Sequence, residues 1–171
     1  MVIGFCLVSC QPVVEDQKTS ISNDGTILDP EFELIYIEEF DTGYPGWNEG
    51  PGAELKIKES YLNLNVIGSS AFVSIEVPVT RGERYLISAA ILEGTTGRLG
   101  RMLVGTRPAD SDYYKGPYSR DVLHEVIFLS VTSSVFITLQ INSGLPSDFF
   151  NFDSVKVARL VSPISISGQN D

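Results

Sequence analysis

One segment of the sequence combines the side chains that recognise sugars. Residues 98–120 contain five basic and two acidic side chains, a local net charge of +3 in a chain whose net charge is −10. Its tyrosines are Tyr113, Tyr114 and Tyr118. Aromatic rings stack on apolar surfaces, and arginine donates hydrogen bonds to hydroxyls and carboxylates. The segment therefore predicts a glycan site in which tyrosine stacks, Arg101 or Arg107 donates, and the positive charge favours acidic glycans.

The same segment has a structural interpretation. Long loops on β-sandwiches commonly carry function, but tyrosines also pack loops onto a domain. The arginines would then neutralise an acidic surface, and the two interpretations stay open. Trp47, in the sequence GYPGW, is a further candidate for ligand stacking, with a place in the core as the alternative.

Groups that catalysis requires are scarce in this sequence. His124 is the one histidine, and in DVLHEVIFLSV it alternates with apolar residues as a strand residue does. The motifs G-x-S-x-G, H-E-x-x-H and C-x-x-C are absent from the sequence. Glu38 and Glu39 are adjacent, so in a strand they point to opposite faces and do not flank one glycosidic bond. We expect a protein that is not an enzyme, and the net negative charge argues against nucleic acid as a partner.

The elements that must position these side chains are β-strands. From Glu31 onward, short runs rich in Val, Ile, Leu, Tyr and Phe are separated by Gly, Pro, Asn and Ser. In AFVSIEVPV, apolar residues alternate with others, which is typical of a half-buried antiparallel strand. The predicted strands lie at about 32–40, 53–58, 60–67, 70–79, 84–93, 99–105, 121–131, 134–142 and 150–160. About nine strands with regular turn signals predict an all-β sandwich or barrel.

Three stretches resemble a known family. EEFDTGYPGW, VPVTRGERYLISAAI and FFNFDSVKV are similar, in this order, to motifs of galactose-binding-like jelly rolls, especially the CenC-type carbohydrate-binding modules. The resemblance implies an all-β jelly-roll β-sandwich of about eight to nine antiparallel strands, with a non-catalytic role in binding glycans. It also implies that the tryptophan of the Gly-Trp pair, Trp47, fills the core.

The resemblance further implies a structural Ca²⁺ ion between the first and last strands. Carried over to this chain, the two acidic ligands are Asp41 and Asp153, and Ser154 stands where the family has a second Asp. Calcium takes 6 to 8 oxygen ligands, so backbone carbonyls would have to complete the site. In the alternative interpretation, Asp41 caps a turn and Asp153 accepts backbone hydrogen bonds.

The start of the chain, MVIGFCLVSC, resembles the end of a bacterial lipoprotein signal. The apolar stretch is far shorter than the about 20 residues of a membrane-spanning helix. Leu7-Val8-Ser9-Cys10 resembles a lipobox, in which the cysteine becomes acylated, and no cysteine follows Cys10 in the sequence. Gln11 at the next position resembles the outer-membrane sorting pattern. The alternative is that Cys6 and Cys10 are ordinary buried thiols.

These features predict the organisation of the chain. We expect a signal peptide at 1–9, a lipidated cysteine and tether at 10–30, a jelly-roll domain at 31–160 and a tail at 161–171. The expected function is glycan binding by a lipoprotein anchored in the bacterial cell envelope, in the outer membrane. The alternatives are a structural or assembly lipoprotein that binds another envelope protein and, third, a glycan-processing enzyme. A groove with two or more exposed aromatic rings favours a glycan, whereas a flat apolar patch favours a protein partner.

Overall fold

The computed structural model describes residues 20–21, 27–28, 31–68, 71–142 and 145–161. The chain divides into two units, Met1–Pro30 and Glu31–Asp171. In the first unit, β1 (Ser20–Ile21) and β2 (Ile27–Leu28) form an antiparallel ladder. The predicted signal peptide, Cys10 and the tail after residue 161 lie outside the described residues. Among those described, no helix is long and apolar enough to cross a membrane.

The described part of the second unit consists of eleven strands joined by turns and loops. They are β3 (Glu31–Glu38), β4 (Asn48–Glu49), β5 (Ala53–Lys58), β6 (Tyr61–Val66), β7 (Ala71–Pro78), β8 (Arg84–Gly94), β9 (Gly100–Gly105), β10 (Tyr114–Lys115), β11 (Val122–Leu129), β12 (Ser134–Ile141) and β13 (Phe149–Val161). Nine of them correspond to the predicted strands. The additional strands β4 and β10 have two residues each, too few to leave a periodic pattern in the sequence.

The strands form two antiparallel sheets. The five-stranded sheet has the order β10-β9-β12-β7-β4, and the six-stranded sheet has the order β11-β8-β13-β6-β5, with β3 also paired to β13. Strand β13 pairs with β8 along one edge, and along the other it pairs first with β6 and then with β3. The predicted all-β sandwich is therefore confirmed.

The core lies between the two sheets and follows from the alternation of side chains along each strand. In β7, Ala71, Val73 and Val77 are buried, whereas Glu76 is exposed on the opposite face. The largest fully buried side chains include Phe150 and Phe152 of β13. Full burial of each such side chain contributes roughly 1.5–3 kcal/mol to the free energy of unfolding.

A bulge interrupts β13 beside the polar pair Asp153-Ser154. The register between β13 and β8 shifts between Asp153 and Lys156, and Ser154 has a φ of +48°. The Ser154 backbone N–H donates a hydrogen bond of 2.7 Å to Asp153 Oδ1. The polar pair thus interrupts the alternation of buried residues along β13, between Phe152 and Val155.

Candidate functional site

The outer face of the five-stranded sheet brings three side chains from different strands into one row. Gln140 on β12 is directly opposite Arg101 on β9 and directly opposite Phe72 on β7. Their chain neighbours Met102 and Ala71 are fully buried on the inner face. The row Phe72, Gln140 and Arg101 therefore points away from the core.

Arg101 is held in a fixed orientation on this face. Its Nε and Nη2 donate hydrogen bonds of 2.8 and 2.6 Å to Gln140 Oε1. The guanidinium carbon lies 4.2 Å from the centroid of the Tyr118 ring, a cation–π contact. The Tyr118 hydroxyl donates to the same Gln140 oxygen at 3.4 Å, and the tyrosine is 36% exposed. A guanidinium, an amide and an exposed ring are thus preorganised side by side.

Phe72 forms the other end of the row. Its ring lies over Gly50, since a Cβ atom at Gly50 would be 2.5 Å from two ring carbons. The Gly50 backbone N–H also donates a 2.9 Å hydrogen bond to the Phe72 carbonyl. Glycine at position 50 therefore lets the ring lie flat against the backbone. Two aromatic residues, Tyr118 and Phe72, flank the polar side chains of the row.

The loop after β9, residues 106–113, covers the neighbouring part of the same face. The Ala109 backbone N–H donates a 3.0 Å hydrogen bond to Thr138 Oγ1, and a Cβ atom at Gly105 would be 2.6 Å from the backbone of Asp110. As a result, Leu103 and Thr138 are buried although they face outward. The open part of the face is the row that ends at Arg101 and Tyr118.

This loop is closed by a carboxylate. Asp112 Oδ2 accepts hydrogen bonds from the Thr106 backbone N–H at 3.0 Å and from Thr106 Oγ1 at 2.6 Å. These bonds, with a smaller contribution from Arg107, hold the pKa of Asp112 below its usual value. Arg107 is exposed on the loop and does not belong to the row with Arg101.

Tyr113 and Tyr114 pack toward the interior. The Tyr113 ring centroid is 4.6 Å from that of Phe128, and its hydroxyl accepts a 3.1 Å hydrogen bond from the Val131 backbone N–H. The Tyr114 hydroxyl lies 3.1 Å from His124 Nδ1. Both rings attach the loop to the sandwich, as the structural interpretation of the segment expected. Of the three tyrosines, Tyr118 is the one with its ring on the outer face, and the proposed site is restricted to it.

His124 connects β11 to the segment that carries Tyr118. It is 4% exposed, and its Nε2 lies 2.6 Å from Ser119 Oγ while its Nδ1 contacts Tyr114. Burial lowers the pKa of His124. Ser119 also exchanges two backbone hydrogen bonds with Gly100, the residue before Arg101. This positioning role is not visible in the sequence, because it depends on a contact between the edges of two sheets.

The basic residues of segment 98–120 serve mixed roles. Arg98 Nε forms an ion pair of 2.8 Å with Asp148 Oδ2, with both side chains largely buried. Arg120 Nη2 donates a 2.8 Å hydrogen bond to the Arg98 carbonyl. The local charge of +3 is therefore not one positive patch. Arg101 contacts Gln140 and Tyr118 on the outer face, and the exposed Lys115 lies opposite Leu103 on the same face.

Trp47 is a core residue. It is 7% exposed, and its ring centroid is 5.7 Å from that of Phe40, which is fully buried. The nearby Tyr36 hydroxyl is also buried, and burial raises the pKa of Tyr36 to about 12, with Glu38 adding to the shift. Trp47 therefore packs in the core, which was the alternative to ligand stacking, and it is not part of the proposed ligand site.

Asp41 and Asp153 lie close enough to interact. Burial raises the pKa of Asp153, and the neighbouring charges of Glu39 and Asp41 raise it further. Among the described residues, no group of three or more His, Cys, Asp or Glu side chains forms a cluster that could hold a metal ion. A calcium ion here would depend on backbone carbonyls for most of its ligands, and the calcium site stays a prediction.

The fold is shared with solved carbohydrate-binding modules. A family 4 module (CBM4) matches with 20% identity and a TM-score of 0.52, over 70% of this chain and 99% of the module. The tandem family 22 modules of Paenibacillus barcinonensis Xyn10C match with 15% identity and a TM-score of 0.56, over 77% of this chain and 47% of theirs.

A third similar structure contains a family 22 module and a family 10 glycoside hydrolase module of Clostridium thermocellum endo-1,4-β-D-xylanase 10B, complexed with xylohexaose. It matches with 16% identity and a TM-score of 0.52, over 74% of this chain and 28% of that one. No protein-family model and no curated protein matches this sequence. The second unit of the chain thus has the jelly-roll β-sandwich fold of carbohydrate-binding modules.

Proposed function

We propose that this protein binds carbohydrate without catalysis and that its site is the outer face of the five-stranded sheet. The observation that carries the proposal is the arrangement of Arg101 and Tyr118 around Gln140. The carbohydrate-binding modules of similar fold support it, including the C. thermocellum module whose structure contains xylohexaose.

The arrangement suits a sugar ring chemically. One face of the Tyr118 ring is covered by the Arg101 guanidinium, and the exposed remainder of the ring offers an apolar surface for the C–H face of a sugar. The guanidinium and the Gln140 amide provide hydrogen-bonding groups beside it. Because these groups are already held in place, binding loses less conformational entropy than it would with mobile side chains. The positive charge of Arg101 favours an acidic glycan.

The Ser119–His124 contact does not support an enzyme. Its histidine is buried inside the sandwich, and the second ring nitrogen contacts the Tyr114 hydroxyl rather than a carboxylate. The contact orients the segment that carries Tyr118. Arg101 lies on the outer face of the five-stranded sheet, on the opposite side from this buried histidine. The proposed function therefore has no catalytic step.

The proposal includes a lipid anchor at Cys10 and a location in the bacterial cell envelope, in the outer membrane. Its support is the resemblance of Leu7-Val8-Ser9-Cys10 to a lipobox and the absence of cysteine from the sequence after Cys10. A tethered glycan-binding domain would hold a polysaccharide near the cell surface.

Tyr118→Ala tests the proposed site. Tyr44→Ala is the matched control, because Tyr44 is also 36% exposed but lies in the loop between β3 and β4. A glycan array selects the ligand, and calorimetry at low and raised salt measures its affinity for each variant. We expect Tyr118→Ala to weaken binding tenfold or more, about 1–3 kcal/mol, with little change in the thermal melt.

Arg101→Gln tests the contribution of the Arg101 charge separately from that of the Tyr118 ring. It retains hydrogen-bonding capacity but loses the charge, so an acidic glycan should lose affinity and salt dependence together. If no glycan binds above background, or if Tyr44→Ala weakens binding as much as Tyr118→Ala, the proposed site is wrong.

A further inference from the structure

The outer face of the six-stranded sheet carries an exposed apolar surface on the half formed by β3, β13, β8 and β11. Its side chains alternate with the buried residues Val157, Ile87 and Phe128, so they point away from the core. We call this surface the apolar face. It consists of Phe32, Leu34, Leu86, Ile127, Leu129 and Ala158.

Strand register aligns four residues of the apolar face into one row, whereas Leu129 stands opposite the charged Arg84. Leu34 on β3 is opposite Ala158 on β13, which is opposite Leu86 on β8. Leu86 is in turn opposite Ile127 on β11. One apolar row thus crosses all four strands, with the small side chain of Ala158 making a depression between two leucines.

The apolar face exposes several large apolar side chains close together. Phe32, Leu34, Ile127 and Leu129 are each between 38 and 54% exposed. Single exposed apolar residues are ordinary, but contiguous patches of roughly 300–600 Å² are the largest that typical monomers have and commonly mark interaction sites. Four such side chains on one half-sheet indicate a surface that binds another apolar surface.

We propose that the apolar face binds a second copy of this chain, face to face, about a two-fold axis that runs parallel to the strands between β13 and β8. This axis places Ala158 over the partner's Leu86. It also places Leu34 over the partner's Ile127. The leucine fills the depression at the alanine in both copies, so the face is complementary to itself, as an isologous interface requires.

The polar row beside the apolar face has complementary charges. Lys156 on β13 is opposite Ser88 on β8, which is opposite Glu125 on β11. The same axis places the partner's Glu125 next to Lys156, one strand to the side. Together the apolar and polar rows cover a half-sheet about 20 Å wide, since strands are spaced by about 4.8 Å.

Other ways of covering this face fit the charges less well. The edge strand β3 carries Glu31, Glu33 and Glu38, which repel each other if two β3 edges pair. The net charge of −10 likewise opposes binding to an anionic lipid surface. Packing of the two faces leaves these glutamates at the border in contact with water.

Sedimentation equilibrium of the full chain at micromolar concentrations tests the proposal. We expect a dimer, and we expect Leu34→Glu and Ile127→Glu each to weaken it at least thirtyfold while the thermal melt changes little. Leu145→Glu is the control, because Leu145 is 67% exposed and lies before β13, at the opposite end of that strand. Lys156→Glu and Glu125→Lys should each weaken the dimer severalfold, and the double variant should restore it.

A full chain that is monomeric at about 100 μM overturns the proposal, and so does a dimer that is insensitive to both Leu34→Glu and Ile127→Glu. Flotation with phosphatidylglycerol-containing vesicles tests the alternative that the apolar face binds lipid. If the chain is monomeric and Leu34→Glu abolishes flotation, the face binds lipid and the second copy is wrong. None of these measurements involves glycan, so the outcome is independent of the proposed function.

Discussion

Replacement of His124 tests whether this residue holds the segment that carries Tyr118. His124→Phe preserves a flat ring but removes both hydrogen-bonding nitrogens, which lie 2.6 Å from Ser119 Oγ and 3.1 Å from the Tyr114 hydroxyl. Each buried polar group that loses its partner costs about 1–3 kcal/mol. The free energy of unfolding should therefore fall by roughly 2–4 kcal/mol, because some exposure of Ser119 and Tyr114 to water limits the loss.

Chemical denaturation measures this change, and pH provides a second test. Because the pKa of His124 is lowered in the folded state, the unfolded chain binds the proton more readily. Stability is therefore full above the unfolded pKa of about 6.5 and declines as the pH falls from there toward the lower folded pKa. The chain has one histidine, so His124→Phe should abolish the part of this decline that begins as the pH falls below about 6.5.

His124→Gln serves as the comparison, because its amide retains one donor and one acceptor but does not titrate in this range. It should be more stable than His124→Phe and equally insensitive to pH. Glycan affinity should fall in the order wild type, His124→Gln, His124→Phe. If His124→Phe unfolds at the same denaturant concentration as the wild type, His124 does not position the segment.

The remaining predictions concern the predicted calcium site, the packing of the Phe72 ring on Gly50, and the acylation of Cys10. Asp153→Asn should raise the melting temperature at neutral pH, because a partly buried carboxylate beside Asp41 is removed; if calcium binds there, the variant is instead less stable and EDTA lowers the wild-type melt. Gly50→Ala should displace the Phe72 ring and weaken glycan binding, measured by calorimetry together with the thermal melt of the variant. Alkyne fatty acid labelling should mark the wild type but not Cys10→Ala when the chain is expressed with a complete signal peptide.

Local patterns in the sequence were sufficient to predict the strands. In β7 the alternation of Ala71, Val73 and Val77 with polar or exposed neighbours identifies both the strand and its buried face. The resemblance to jelly rolls placed Trp47 in the core, where the structure has it. These properties depend on neighbours within a few residues along the chain, so a single sequence contains them.

The composition of the site depends on contacts that no local pattern contains. Arg101 and Gln140 meet because β9 and β12 pair, across 39 residues of sequence. Tyr114 and Tyr118 are only four residues apart, yet one faces His124 and the other faces Arg101. Composition directed attention to segment 98–120, but which of its rings face the solvent is decided by the tertiary fold.

The apolar face was invisible in the sequence for a related reason. Leu34 and Ile37 of β3 lie on the same side of the sheet although they are three positions apart, an odd offset that places regular strand residues on opposite faces. The register between β13 and β3 shifts between Val157 and Ala158, opposite Ile35, which has no partner in the ladder. A bulge of this kind reverses the pattern that follows it.

The central place of β13 has a consequence for folding. It is the last strand of the described chain, yet β3, β6 and β8 all pair with it. During synthesis these three strands therefore lack their common neighbour until β13 has left the ribosome, since a domain completes its folding only when all its parts are present. Pairing of β3 with β13 joins residues 117 to 130 positions apart, a separation that slows folding through the entropy of loop closure. The six-stranded sheet is thus completed in a late step, whereas the strands of the five-stranded sheet pair without β13.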